Sequence, residues 1–197
     1  MDVQEKPPGK LRTGFTTGTS ATAASVAAIL SIIDQKKIKS VDVILPKKDK
    51  IKISINRCEF EKNKACCSVI KDGGDDPDVT HDAEIVVDLE LTSKPNSIEI
   101  DGGEGVGRVT KPGIGLEIGQ AAINPRPRKM ITENLTQVGK KILEKNGIKV
   151  MISVPKGKEL GPKTDNPRIG IMGGISILGT SGIVYPFSTA SWAAAIR

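Results

Sequence analysis

Four segments carry residue types that do chemistry. The first is RTGFTTGTSATAAS, residues 12–25. Gly14 and Gly18 let the backbone turn tightly and approach a ligand closely. Thr16, Thr17 and Thr19 offer hydroxyls at a helix entry, where unpaired N–H groups carry positive partial charge. Such an entry suits a carboxylate or phosphate, with Arg12 beside it. An ordinary capped helix with a small-residue packing face reads the same way, and spacing alone favours that plainer build. The second segment is KDGGDDPDVTHD, residues 71–82. Its carboxylates, Asp72, Asp75, Asp76 and Asp78, can hold a hard cation or act as a base. The order does not match a calcium loop, and a turn with local side-chain caps is the commoner use of such residues.

The third segment is the glycine-rich run 101–128, which holds Gly103, Gly105, Gly107, Arg108 and Arg128. No strand–turn–helix surrounds it, so it is not a dinucleotide fingerprint. It reads equally as a wall that lets a flat ligand reach backbone and as a surface loop. The fourth is KTDNPRIGIMGGISILGT, residues 163–180. Arg168 can grip a carboxylate in bidentate fashion. Gly173 and Gly174 can line a crevice at a strand end or simply permit packing. His81 is the single histidine, and three cysteines, Cys58, Cys66 and Cys67, lack metal-ligand spacing. Adjacent cysteines on a strand point to opposite faces. No metal site is expected.

The elements that must position these groups follow from periodicity. Apolar residues at Ala23, Val26, Ala27, Leu30 and Ile33 predict a helix over 19–37, capped by Thr19 or Ser20 and closed by Lys36 and Lys37. Alternation predicts a hairpin of strands 41–45 and 51–55, and the stretches 65–70, 84–92 and 97–100 read as further strands. Residues 130–146 read as a second helix closed by Gly147, and 148–154 as a strand. An apolar stretch, 169–177, suggests another strand, and 188–197 a short helix. The first ten residues read as a polar arm.

The net charge is +6 with a pI near 9.2, which suits an anionic partner. Aromatic residues make up 3%, too few for base-stacking platforms, so no nucleic-acid partner is expected. No apolar run reaches the roughly 20 residues of a membrane span. Cysteine usage suggests a reduced cytoplasmic setting. Oligomeric state stays open, a homo-oligomer included.

Taken together, RTGFTTGTSATAA (12–24), KDGGDDPDVTH (71–81), GEGVGRVTKPGIGLEIGQAAINPRPR (103–128) and NPRIGIMGGISILGTSGIVYPFS (166–188) resemble, in order and spacing, the cobalt-precorrin-5B (C-1)-methyltransferase family, the CbiD family of anaerobic cobalamin biosynthesis. Two departures stand out: Ser20 occupies a position where the family commonly has Cys, and family members run well beyond 197 residues.

The resemblance implies methyl transfer from S-adenosylmethionine to a tetrapyrrole that carries its own cobalt. It assigns Asp75 and Asp76 to catalysis. Arg12, Thr16, Thr17, Gly18, Thr19, Arg128 and Arg168 fall to the polycarboxylate substrate, and Gly103, Gly105, Gly107, Gly173 and Gly174 to the donor. The expected fold is α/β (mixed α+β): an N-terminal sheet-plus-helix domain over 1–125, then part of a second α/β domain over 126–197. Rival readings are a tetrapyrrole- or polyanion-binding portion without catalysis of its own, and a phosphate-binding kinase-like domain without a P-loop.

Overall fold

The computed structural model describes residues 10–188. A two-residue strand, β1 (Gly14–Phe15), leads into α1 (Thr17–Asp34). This helix is almost wholly buried because alanine, serine and threonine leave no bulky polar face. Its hydroxyls are satisfied inside the helix: Thr22 donates to the Gly18 carbonyl (2.8 Å), Ser25 to Ala21 (2.7 Å) and Ser31 to Ala28 (2.8 Å). By length and composition α1 is also long and apolar enough to cross a bilayer, but 83% of that window is buried inside the protein, as in a core helix.

β2 (Ser40–Ile44) and β3 (Lys50–Ser54) form the expected hairpin, with Val41 opposite Ile53. Five strands make the main sheet: β4 (Arg57–Phe60), β5 (Lys64–Ile70), β6 (Glu84–Thr92), β7 (Ile98–Gly102) and β9 (Gly147–Ser153), in the order β4-β5-β6-β9-β7. Between β7 and β9 come β8 (Arg108–Val109) and α2 (Pro125–Leu143). After β9 follow α3 (Gly157–Leu160), a 3-10 turn (Gly161–Lys163), β10 (Ile171–Met172) and β11 (Ile183–Val184). The sheet is half-buried: in β9, Ile148, Val150 and Ile152 enter the core while Lys149 is exposed. α1 packs on β5 and β6, and α2 packs on α1. The mixed α/β class is therefore as the residues predict.

Several boundaries differ from expectation, each for a tertiary reason. α1 begins at Thr17 with Thr16 as cap, its Oγ1 accepting from the Thr19 N–H (3.2 Å). Several hydroxyl residues qualify locally, and contact with residue 182 selects Thr16: its N–H donates to the Gly182 carbonyl (3.1 Å). The helix stops with Gln35 in the left-handed region (φ 50°), so Lys36 and Lys37 lie beyond it. α2 starts at Pro125, five residues before Met130, because Pro125 and Pro127 sit in the first turn, where no N–H is required. Gly147 opens β9 instead of closing the helix; a Cβ there would collide with the Lys94 carbonyl. β4 was not anticipated. The stretch 169–177 supplies only β10 and bridges at Ile175 and Ile177.

The boundary expected at 125/126 falls inside α2. β9, from beyond it, inserts between β6 and β7, from before it, and one core runs through both parts. The expected arm (1–10) falls outside the described residues except for Lys10, and the expected terminal helix (188–197) except for Ser188.

Candidate functional site

The acidic loop is irregular, as its Asp, Gly and Pro content requires, and its carboxylates are engaged by their neighbours. Asp72 pairs with the Arg12 guanidinium and also accepts from the Gly74 N–H (2.9 Å). Asp75 accepts from the Arg12 N–H (2.6 Å), and Asp76 from the Phe187 N–H (3.0 Å). Asp78 takes the buried Lys71 ammonium (2.6 Å) and both donors of Thr80. The Gly73 N–H donates to His81 Nδ1 (2.9 Å). The hydrogen bond and charge of Arg12 hold the Asp72 pKa below the ordinary carboxylate value. The loop thus clasps residues 12–15 on one side and residue 187 on the other. One oxygen of Asp75 and one of Asp76 keep no hydrogen bond among the described residues.

The α1 entry is likewise filled by protein. The Gly18 N–H donates to the Leu178 carbonyl (2.8 Å), and Thr19 Oγ1 to the Gly182 carbonyl (2.7 Å). Thr17 Oγ1 accepts from the Leu178 N–H (2.8 Å). Residues 176–182 therefore occupy the place where an anion was expected. Ser20 is fully buried and bonds the Thr16 carbonyl (3.1 Å), so no reactive group stands there.

Most of the expected donor-site glycines are packing glycines. A Cβ on Gly105 would strike the Val154 carbonyl, on Gly174 the Gly105 carbonyl, and on Gly107 the Ile171 side chain. A Cβ on Gly103 would lie 2.5 Å from Ser153 Oγ, while Gly173 (φ 81°) alone of the set has open space beside it. Backbone crowding fixes Gly105 and Gly174 as glycine, so they form no open cradle for a donor. Arg168 is exposed, and among the described residues its side chain pairs only with Asp165 (3.3 Å).

Arg128 lies elsewhere. It lines an open cleft of about 670 Å³ with Asp101, Arg108, Leu116, Ile118 and Gln120. β7 delivers Asp101, β8 delivers Arg108, and the first turn of α2 delivers Arg128. Arg108 grips Asp101 with both Nη atoms (2.9 and 3.3 Å) and donates to the Gly102 carbonyl (2.5 Å). Arg128 donates from Nε to the Ile123 carbonyl (3.0 Å) and from Nη1 to the Ile100 carbonyl (2.6 Å). Burial draws the Arg128 pKa down; Asp101 opposes and Arg108 adds to the fall. Neither Asp75 nor Asp76 lines this cleft. Nothing in the local sequence marks Leu116, Ile118 or Gln120 as lining residues. The available signal was an Asp and an Arg seven residues apart across glycines that turn the chain back on itself.

The thiols are quiet. Burial first, then the neighbouring Asp88, pushes Cys66 up to about 11, and burial raises Cys67 as well.

Known proteins resemble this chain along almost all of its length. A protein named cobalt-precorrin-5B C(1)-methyltransferase from Geobacillus kaustophilus is 52% identical over 186 residues, covering 94% of this chain and 50% of that protein. One of the same name from Priestia megaterium is 49% identical over 196 residues, covering 53% of its own length. The chain spans about half the length of these curated relatives. The crystal structure of a cobalamin biosynthesis protein (cbiD) from Archaeoglobus fulgidus superposes with a TM-score of 0.69 at 35% identity, over 96% of this chain and 60% of that one. The CbiD family profile matches residues 4–186, and the chain belongs to the CbiD family.

Proposed function

We propose that this chain forms part of an enzyme that methylates C-1 of cobalt-precorrin-5B with S-adenosylmethionine, giving cobalt-precorrin-6A and S-adenosylhomocysteine. The observation that carries the reading is the near-complete match of the chain to relatives named for that reaction, at 49–52% identity. Cobalt arrives with the macrocycle as part of the substrate. A reduced cytoplasmic setting belongs to the same reading, supported by three free cysteines.

The donor supplies an electrophilic methyl group on a sulfonium, and the ring carbon supplies the electron pair of the new bond. Such a reaction asks the protein chiefly for alignment, which lowers the barrier by removing the entropy of encounter. In this chain the groups suited to alignment are Arg128 and Arg108, both on a cleft that Leu116 and Ile118 also line. The side chains of the macrocycle end in carboxylates, which guanidinium groups hold in fixed geometry. Asp75 and Asp76 are the carboxylates proposed to steady the sulfonium or accept a proton. Unchanged turnover in both Asp75→Asn and Asp76→Asn removes them from that role. The closed glycines Gly105, Gly107 and Gly174 give no support to a donor contact, and none is assigned to them.

Calorimetric titration with S-adenosylhomocysteine, with and without a cobalt-precorrin analogue, tests the reading. Saturable donor binding, strengthened by the analogue, is the expected result. A folded sample that binds the analogue but not the donor makes this chain a tetrapyrrole-holding portion without catalysis of its own. Binding of neither removes the proposal for these residues.

A further inference from the structure

Within the cleft, one cation has no ion-pair partner among the described residues. Arg128 is half-buried, and its Nε and Nη1 are pinned by the Ile123 and Ile100 carbonyls. Those two bonds fix the guanidinium plane. No ion pair reaches Arg128 among the described residues, and its Nη2 carries no hydrogen bond to them. A partly desolvated guanidinium held rigid with one edge open is suited to an anion in bidentate or end-on contact. Arg108 shows which anion the site accepts, since its own partner is the Asp101 carboxylate. That pair is about half exposed, at 45% and 50%, so water and ligand both reach it.

The remaining lining mixes Gln120 and two glycines, Gly115 and Gly119, with apolar side chains. Ile118 is 64% exposed, and Leu116, Ile100 and Pro125 are the other large apolar groups of the lining. Apolar side chains beside two guanidinium groups match a flat body that bears acidic arms. At about 670 Å³ the cleft has room for one edge of a large ring, a heterocycle with its side chains.

We propose that this cleft seats one acidic edge of the tetrapyrrole. Arg128 Nη2 takes one side-chain carboxylate, Ile118 and Leu116 lie against the ring, and Arg108 exchanges Asp101 for a second carboxylate. Asp101 then acts as an internal stand-in for the ligand and keeps Arg108 oriented until the macrocycle arrives; the Gly102 N–H (2.8 Å) holds its carboxylate after the exchange. This rests on the tetrapyrrole reading above and adds the subsite and the class of group it recognises.

Absorbance titration of the whole chain tests it with two probes: cobalt uroporphyrin, acidic on every side chain, and cobalt mesoporphyrin, the same ring with most acids replaced by alkyl groups. The first is expected to bind more tightly. Arg128→Gln is expected to weaken it at least about tenfold, the loss of one charge-assisted contact, and to narrow the preference between the probes. Arg128→Lys recovers part of the loss. Asp101→Asn is expected to tighten uroporphyrin binding by roughly threefold, because a competing carboxylate is gone; an Asp101 of purely structural value gives no gain. Arg57→Gln, on an exposed arginine of β4 outside the cleft, leaves both affinities unchanged.

If Arg128→Gln does not fold, the Asp101→Asn result decides. Unchanged probe preference in a folded Arg128→Gln, or weaker binding in Asp101→Asn, overturns the subsite and leaves methyl transfer standing. A folded wild-type chain that binds neither probe also overturns it, and the donor titration then judges methyl transfer separately.

Discussion

Lys71 is the largest side chain fully buried among the described residues. A buried ammonium is tolerated only when paired, and Asp78 at 2.6 Å is its partner. Burial by itself raises the Asp78 pKa, but the charge and hydrogen bond of Lys71, with two bonds from Thr80, carry it below the ordinary value. A depressed carboxylate contributes stability that is fully present above its unfolded pKa of about 3.9 and is lost as pH falls through the lower folded value. Asp78→Asn should therefore cost roughly 3 kcal/mol at neutral pH, and the cost should shrink below about pH 4. Urea unfolding at both pH values measures this; an equal cost at both removes the pair as its source.

At the scale of elements, the two helices ask opposite things of their glycines. Gly18 lies in the first turn of α1, where a Cβ would sit 2.8 Å from the Leu178 carbonyl and 3.0 Å from Pro127. Gly139 lies in α2, where a Cβ would meet Ile29 at 3.4 Å, an ordinary contact. Gly139→Ala should therefore stabilise by about 0.5–1 kcal/mol through helix propensity and a less flexible unfolded chain. Gly18→Ala should destabilise by about 2 kcal/mol or more, because the backbone of residues 176–182 must retreat. Thermal midpoints that shift in the same direction for both variants would contradict the packing described at the α1 entry.

For the whole molecule, strand order carries the strongest consequence. β9 is antiparallel to β6 and parallel to β7, so residues 147–153 fill the middle of a sheet whose other strands precede residue 125. Residues 1–125 alone would present two bare strand edges and an uncovered core. Expressed separately, that segment should show no cooperative unfolding transition, whereas the intact chain unfolds in one step with coincident probes. A sharp transition in the fragment would restore the two-part organisation expected from sequence.

Much of this was legible in the residues. Period-two alternation located β2 and β3, short apolar runs located β5, β6 and β9, and helical spacing located most of α1 and α2, because burial writes itself directly into local sequence. The acidic loop was legible as irregular from its Asp, Gly and Pro content. The short pairs were not: β1 with β11 and β8 with β10 join residues far apart in the chain, and two-residue strands have no period to read. The same holds for the cap of α1, chosen by residue 182, and for Gly105 and Gly174, whose small size answers to the backbones of Val154 and Gly105 respectively. Sequence by itself determined the family, the α/β class, the basic balance and the presence of Arg128. Only the tertiary structure decided that the threonine-rich helix entry is filled by the chain itself, while Arg128, Arg108 and Asp101 meet on an open cleft. Which donors are satisfied internally and which still face solvent depends on partners that no local stretch of sequence contains.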